Sequence, residues 1–179
     1  MLNQFQTRRT NQVCLANIKL LGTLMETISG LDDTQFNWEP ASQLSSTGKH
    51  IRHIIDHYQC FLKNDGVINY DDRSREVEIE KRSSLAQSAI HNVIRQLSQI
   101  NTSRASSTYV VISATPEDKP SPVQSSLVRE LLFLQSHTIH HMAVIQMTLG
   151  MLGVELDEAY SHAPSTRAFE TQQNSQVAL

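Results

Sequence analysis

The chain has 179 residues, enough for one domain with a substantial core, and its formal net charge of −3 at pH 7 gives no sign of a nucleic-acid partner. Apolar residues make up 39% of it and charged residues 18%, an ordinary balance that excludes a disordered chain. No apolar run reaches the roughly 18–20 residues that a membrane span needs, and residues 1–15 lack the apolar centre of a signal peptide, so we expect a cytoplasmic protein that binds no membrane.

Apolar residues at spacings of three and four predict the first two helices. The first covers residues 6–29 and ends at Gly30, a residue type that is common just after a helix. A polar connector over residues 31–46 follows it. The second helix begins at residue 46 or 47, where a serine or threonine can cap it, and ends at residue 64 before an Asp-Gly pair.

The middle of the chain combines two connectors with a third helix. Residues 66–80 form a polar, charge-rich connector, and residues 83–99 carry apolar side chains at helical spacing. The segment 101–122 is different, because the β-prone run 109–112 is followed by three prolines. We expect a short extended piece or a hairpin there, inside a long connection between the third and fourth helices.

The fourth helix is predicted from residue 123 or 125 to residue 151 or 152, and it is apolar almost all the way round. Such a helix is buried against neighbours on several sides. The residues from 168 onward are mostly polar, so we expect a frayed end. Four helices with one or two long connections predict an all-α four-helix bundle, with residues 1–166 as the single domain and residues 167–179 as a polar C-terminal tail.

The placement of histidines is the main functional signal. Two of the predicted helices each carry a cluster of three, out of eight histidines in the chain. The second-helix cluster is His50, His53 and His57, and the fourth-helix cluster is His137, His140 and His141. His137 and His141 are four residues apart, so they lie on one helix face and can offer two imidazole nitrogens to one point.

These clusters predict a divalent-metal site between two helices. One histidine of the second helix would join His137 and His141, which leaves coordination positions open, as in catalytic rather than structural sites. A metal ion also takes the neutral imidazole that burial favours. Helical geometry alone slightly favours His50 or His57 over His53 as the inward-facing ring. The alternative is a pair of helices whose histidines are ordinary buried or exposed side chains.

Other titratable and thiol side chains have simpler interpretations. Glu130 is seven residues before His137, and a carboxylate at the end of the bundle or in solvent is a better interpretation there than a partner of a ligand ring. We expect Cys14 and Cys60 to be reduced core thiols, and His140 to be a partly exposed ring beside the site. The fourth helix lacks the glutamate of the HExxH pattern, so metalloprotease chemistry is not expected.

Two stretches of the chain resemble motifs of one known family. Residues 46–57, STGKHIRHIIDH, contain a glycine that is followed five residues later by His53 and an aliphatic residue. Residues 137–141, HTIHH, with LGMLG at 149–153, resemble the helix that carries the HxxxH pair in that family. Over roughly residues 2–166 the chain therefore resembles the DinB/YfiT-like superfamily.

This resemblance implies an up-down-down-up four-helix bundle that forms homodimers and binds a divalent ion, zinc, nickel or a similar metal, through His53, His137 and His141. It implies a metal-dependent hydrolase, or a transferase or isomerase that uses a low-molecular-weight thiol, acting on a small-molecule substrate. One position departs from the family, because many members carry glutamine three residues after the last ligand, where this chain has Val144. The alternative is a non-catalytic dimeric helical bundle that binds metal or a protein partner.

Overall fold

Helices account for most of the chain in a computed structural model, which describes residues 2–40, 44–63, 66–100, 107–113, 115 and 117–177. In chain order they are α1 (Leu2–Ser29), α2 (Asp33–Asn37), α3 (Thr47–Leu62), α4 (Val77–Lys81), α5 (Ser83–Ser98), α6 (Leu127–Met151) and α7 (Pro164–Val177). A 3-10 turn covers Glu158–Ser161. No helix among the described residues is long and apolar enough to cross a membrane.

The chain is mostly helical, as predicted, but it is not purely α, because three strands form one small sheet. They are β1 (Val67–Ile68), β2 (Ser107–Ile112) and β3 (Ser121–Ser126), in the order β1-β2-β3. β1 is parallel to β2, whereas β3 is antiparallel to it, with Val110 opposite Val123. The predicted extended segment is therefore present as a hairpin. Because β3 ends at residue 126, α6 begins at Leu127 and not at residue 123 or 125.

The four long helices α1, α3, α5 and α6 enclose one apolar core and correspond to the four predicted helices. α1 contacts α5 and α6, and α3 contacts the same two helices. Each helix buries an apolar stripe, as the spacing of three and four predicted. Fully buried side chains from the four helices include Leu21, Leu24, Ile54, Tyr58, Ile90, Leu131 and Leu134. Each such side chain contributes about 1.5–3 kcal/mol on burial, so this core holds the helices together.

Short elements in the connectors and at the end of the chain were not predicted. α2 follows the N-cap Asp32, whose side chain accepts a hydrogen bond from the Gln35 amide at 2.8 Å, while the Asp32 amide donates to the Gln35 side chain at 3.2 Å. α4 lies in the connector that was predicted to be polar, and its Ile79 is buried. α7 continues to residue 177 where a frayed end was predicted. The domain boundary at residue 166 stays a prediction.

Some predicted features lie outside the described residues. They are the end of the second helix at Asn64, the beginning of the 101–122 segment, and the last two residues of the tail. At the other end, α1 already begins at Leu2, ahead of the predicted start at residue 6.

α4 packs closely against the first turn of α3 at Gly48. A Cβ atom at this position would lie 2.0 Å from the Glu80 carbonyl oxygen and 2.9 Å from the Phe36 ring, so only a glycine fits. Ion pairs strengthen the contact, because Arg52 lies 2.7 Å from the Glu80 carboxylate and 2.8 Å from that of the buried Asp56. The contact fixes the first half of α3, the helix that carries the first histidine cluster.

Candidate metal site

α3 and α6 bring five histidine rings together where the two helices pack. The ring centroids of His53 and His57, both on α3, are 4.4 Å apart. The His137 ring of α6 lies 5.0 Å from His53 and 4.2 Å from His57. His141, one turn further along α6, is 4.5 Å from His137 and 4.7 Å from His53, and His50 is 5.1 Å from His141. The two sequence clusters therefore meet in space, and we call these five rings the histidine cluster.

Three rings of the histidine cluster are close enough for a single ion to contact all of them. One nitrogen from each of His53, His57 and His137 lies within 4.8 Å of the other two. His53 and His137 belong to the ligand set that the family resemblance implies, whereas His57 is one of the two alternatives that helical geometry left open. His141 adjoins the group on α6. The set of His53, His137 and His141 stays a prediction, with His57 as a further candidate for the third ligand.

His57 is held in one tautomer by its own helix. Its Nδ1 lies 2.8 Å from the His53 carbonyl oxygen, and because a carbonyl oxygen only accepts, Nδ1 carries the proton. Nε2 therefore keeps its lone pair, to which Arg73 donates an N–H at 3.4 Å. An ion that used His57 as a ligand would take the place of this hydrogen bond.

A second contact joins the start of α3 to α6. The Nδ1 atoms of His50 and His141 are 3.0 Å apart, so one of them carries a hydrogen and the other a lone pair. Nε2 of His50 is buried and has no hydrogen-bond partner within the described part of the chain. His50 and His141 thus form a neutral pair beside the group of three.

Burial keeps the histidine cluster neutral. The pKa of His53, His137 and His141 is lowered to about 3 in each case, mainly by loss of solvent and then by the charge that neighbouring rings would carry. The same loss of solvent lowers the pKa of His50 and of His57. A metal ion binds the neutral imidazole, so at neutral pH all five rings are in the protonation state that a metal ion requires.

One nitrogen of the histidine cluster in particular fits a metal ion. Nε2 of His137 is buried, and none of the described residues offers it a hydrogen bond. A buried polar atom without a partner costs about 1–3 kcal/mol, and coordination to an ion would remove that cost. Three neutral imidazoles suit zinc, nickel and similar divalent ions. The residues present therefore fit the predicted ion.

Buried hydrogen bonds fix α3 and α6 to each other and to α1 beside the histidines. Tyr58 and Thr138 each directly follow a histidine of the cluster. Tyr58 donates to the Asn17 side chain of α1 at 2.6 Å, and the Thr138 hydroxyl lies 3.3 Å from the Tyr58 oxygen. Asn17 donates in turn to the Leu131 carbonyl oxygen at 3.1 Å. These bonds fix the position of the two histidine-bearing helices relative to each other.

A buried carboxylate lies near the histidine cluster at the start of α6. Glu130 is only 4% exposed, and it accepts hydrogen bonds from the Tyr70 hydroxyl at 3.0 Å and from the Ser125 hydroxyl. Of the two predicted positions, solvent was therefore wrong, whereas Glu130 does lie at the end of a bundle helix, in the first turn of α6. Both donors lie outside the helix, Tyr70 in the connector after β1 and Ser125 in β3, so the helical pattern around Glu130 could not reveal them.

Two aromatic rings stand between the histidines and a surface cavity. The Tyr70 ring lies 5.6 Å from His57, the Phe133 ring 5.6 Å from His137, and the two aromatic rings are 5.0 Å apart. Both also line a cavity of about 700 Å³ between the β2–β3 hairpin and the start of α6, which no described histidine lines. Their apolar faces exclude water from one side of the histidine cluster. Neither ring was predicted to lie at the site, because one aromatic residue in a connector or in an apolar helix carries no local signal of a nearby histidine.

The remaining predicted side chains are where the sequence placed them. His140 is exposed, with its ring 5.2 Å from that of His141. Cys14 and Cys60 are buried free thiols, and burial raises the pKa of each. They are core side chains, as predicted.

Comparison with known proteins gives a family and a partial relative. A family model described as the DinB superfamily matches residues 20–145, more than half of the 179-residue chain and a span that contains all five clustered histidines. A protein of Rhizopus delemar named FK506-binding protein 5 is 33% identical over 103 residues, or 56% of this chain. The chain covers only 26% of the length of that relative. No solved structure matches the chain.

Proposed function

Because the chain belongs to the DinB superfamily, we propose that it is a divalent-metal-dependent enzyme, either a hydrolase or a transferase that uses a low-molecular-weight thiol. The observation that carries the proposal is the group of His53, His57 and His137, with its nitrogens within 4.8 Å of one another and a buried, unpartnered Nε2 on His137. We also propose that the ion is zinc, nickel or a similar divalent metal, and that the four long helices run in up-down-down-up order.

The chain supplies ligands for the ion and excludes water from one side of the site. A divalent ion would be held by neutral nitrogens of His53, His137 and either His57 or His141, and three protein ligands would leave positions open for a substrate. When bound, a divalent ion lowers the pKa of a water molecule or a thiol, or polarises a carbonyl group of the substrate. By excluding water on one side, Tyr70 and Phe133 strengthen the electrostatic interactions of the site.

Removing a ligand should remove the ion. In untagged protein reloaded with zinc we expect about one ion per chain, and His53→Ala and His137→Ala should each lose most of it, because two imidazoles hold zinc much less tightly than three. Comparing His57→Ala with His141→Ala identifies the third ligand. Elemental analysis after gel filtration measures the zinc content of each variant.

The matched control for these variants is His91→Ala, because His91 is an exposed histidine on α5. It should keep the zinc content of the wild type. Wild-type protein that holds no zinc after reloading would contradict the proposal. Equal losses in His91→Ala and His137→Ala would also contradict it, since they would mean that the ion is bound without a defined site.

The need for a thiol separates the two reaction classes. Zinc-loaded protein is given ester and amide substrates without a thiol, and electrophilic substrates together with cysteine or glutathione. Turnover without a thiol that disappears in His137→Ala supports the hydrolase, and turnover that requires the thiol supports the transferase. Zinc bound with no turnover in either panel would favour the alternative, a non-catalytic helical bundle that binds metal or a protein partner.

We further propose that the protein is a cytoplasmic homodimer that acts on a small molecule. The buried free thiols Cys14 and Cys60 suit a reducing compartment. Leu15 on α1 and Leu132 and Met147 on α6 are 65%, 44% and 60% exposed, which supplies apolar surface for a second subunit. Light scattering of the purified protein measures the number of subunits.

A further inference from the structure

Arg73 is a half-buried cation beside the histidine cluster, and its hydrogen-bond partner there is a neutral ring. The guanidinium donates to Nε2 of His57 at 3.4 Å. None of the ion pairs among the described residues involves Arg73. A guanidinium that is partly removed from water usually lies against a carboxylate or a phosphate, so this position is suited to an anion from outside the chain.

The connector that carries Arg73 is anchored to α3 on both sides of this residue. Before it, the backbone oxygen of Asp72 accepts a hydrogen bond from the Cys60 thiol at 3.5 Å. After it, the Ser74 hydroxyl donates to the carboxylate of Asp56 at 3.4 Å. Because both anchors are residues of α3, the backbone of Arg73 is held beside the histidine cluster.

None of the described carboxylates near the cluster forms an ion pair with this cation, and Glu130 instead accepts hydrogen bonds from Tyr70 and Ser125. Asp56 is paired with Arg52 at 2.8 Å, and Asp71 is exposed to solvent. A divalent ion held by neutral imidazoles would add two positive charges next to the guanidinium, and such an excess of positive charge attracts an anion.

We propose that Arg73 binds an anionic group of the substrate, a carboxylate or a phosphate, next to the three-histidine site. This inference rests on the proposed metal-dependent function, because the substrate must reach the ion and Arg73 together. The planar guanidinium can donate two parallel hydrogen bonds to either kind of anion. Arg73 thereby selects acidic substrates and orients them at the site.

Cobalt(II) and two simple anions test this role without an activity assay. The protein is loaded with cobalt(II), whose visible absorption reports its surroundings, and is titrated with sodium acetate and with methyl phosphate. In the wild type at least one anion should change the spectrum in a saturable way, and the tighter anion identifies the class. Arg73→Gln should bind cobalt(II) at least as tightly as the wild type, because a repelling charge is gone, but should weaken anion binding by about tenfold. Arg73→Lys should give an intermediate loss.

The matched control is Arg75→Gln, which removes an exposed positive charge from the same connector and should leave anion affinity unchanged. Anion affinity that is equal in Arg73→Gln and the wild type, or that falls equally in Arg75→Gln, would overturn the inference, as would a wild-type spectrum that neither anion alters. Failure of the wild type to bind cobalt(II) would overturn the proposed function and this inference with it. Far-UV circular dichroism shows whether Arg73→Gln is folded, and Arg73→Met takes its place if it is not.

Discussion

At the scale of single residues, Gly48 shows how a small residue controls the helix that carries the site. A Cβ atom there would lie 2.0 Å from a backbone oxygen of α4, which cannot rotate away as a side chain can. Gly48→Ala should therefore push α3 and α4 apart and lower the free energy of unfolding by about 1–3 kcal/mol, as overpacking does. Urea unfolding followed by circular dichroism measures the change.

Gly22 is the matched control for this substitution. It lies in the middle of α1, and a Cβ atom there would have nothing within 4 Å. Gly22→Ala should raise the free energy of unfolding by about 0.5–1 kcal/mol, because alanine loses less conformational freedom in a helix. If Gly48→Ala were as stable as Gly22→Ala, α4 would not be packed against α3 in solution.

At the scale of elements, the four long helices could be predicted because their apolar spacing is continuous over several turns. α2 and α4 are too short to show a period, and each is fixed by contacts from elsewhere. The backbone amide of Ser83 donates to Asp33 of α2 at 2.9 Å, and α4 is tied to α3 through Arg52 and Glu80. β1 has two residues, and it pairs with a strand about forty residues later in the chain, so no local signal could indicate it.

The buried bonds between α1, α3 and α6 are a second feature that sequence patterns do not show. Tyr58→Phe would leave the Asn17 side-chain oxygen buried without its donor at 2.6 Å. It should lower the free energy of unfolding by about 1–3 kcal/mol, measured by urea unfolding. Tyr109→Phe on β2 is the control, because Tyr109 is 42% exposed and its hydroxyl can bond to water. A loss no larger in Tyr58→Phe than in Tyr109→Phe would show that the network contributes little.

At the scale of the whole molecule, the sequence could indicate that two helices supply histidines to one place, but not which of the rings lie close enough together to bind one ion. His53 and His57 are four residues apart on α3, as His137 and His141 are on α6, so their spacing cannot distinguish one pair from the other. What distinguishes His57 is non-local, namely the Arg73 guanidinium and the Tyr70 ring, which come from the connector after β1. The burial of Glu130 was not predicted for the same reason, since its donors lie outside its own helix.

The five clustered histidines should make the stability of the metal-free protein depend on pH. Their folded-state pKa values are lowered, to about 3 for His53, His137 and His141, whereas an unfolded chain binds protons near the ordinary value of about 6.5. Between these values the unfolded chain binds more protons than the folded one, so the free energy of unfolding rises with pH. The free energy of unfolding has its full value above about pH 6.5, and it decreases as the pH falls toward 3.

Urea unfolding in the presence of EDTA at pH 7 and pH 5 measures this dependence in a range where most carboxylates stay ionised. The wild type should be less stable at pH 5. His137→Gln removes one of the groups that take up a proton on unfolding, so its loss of stability between the two pH values should be smaller. His91→Gln, at an exposed position, should lose as much as the wild type. If the wild type were equally stable at both pH values, or if the two variants lost stability equally, the histidine cluster would not be buried and neutral in solution, and the case for a metal site built from these rings would weaken with it.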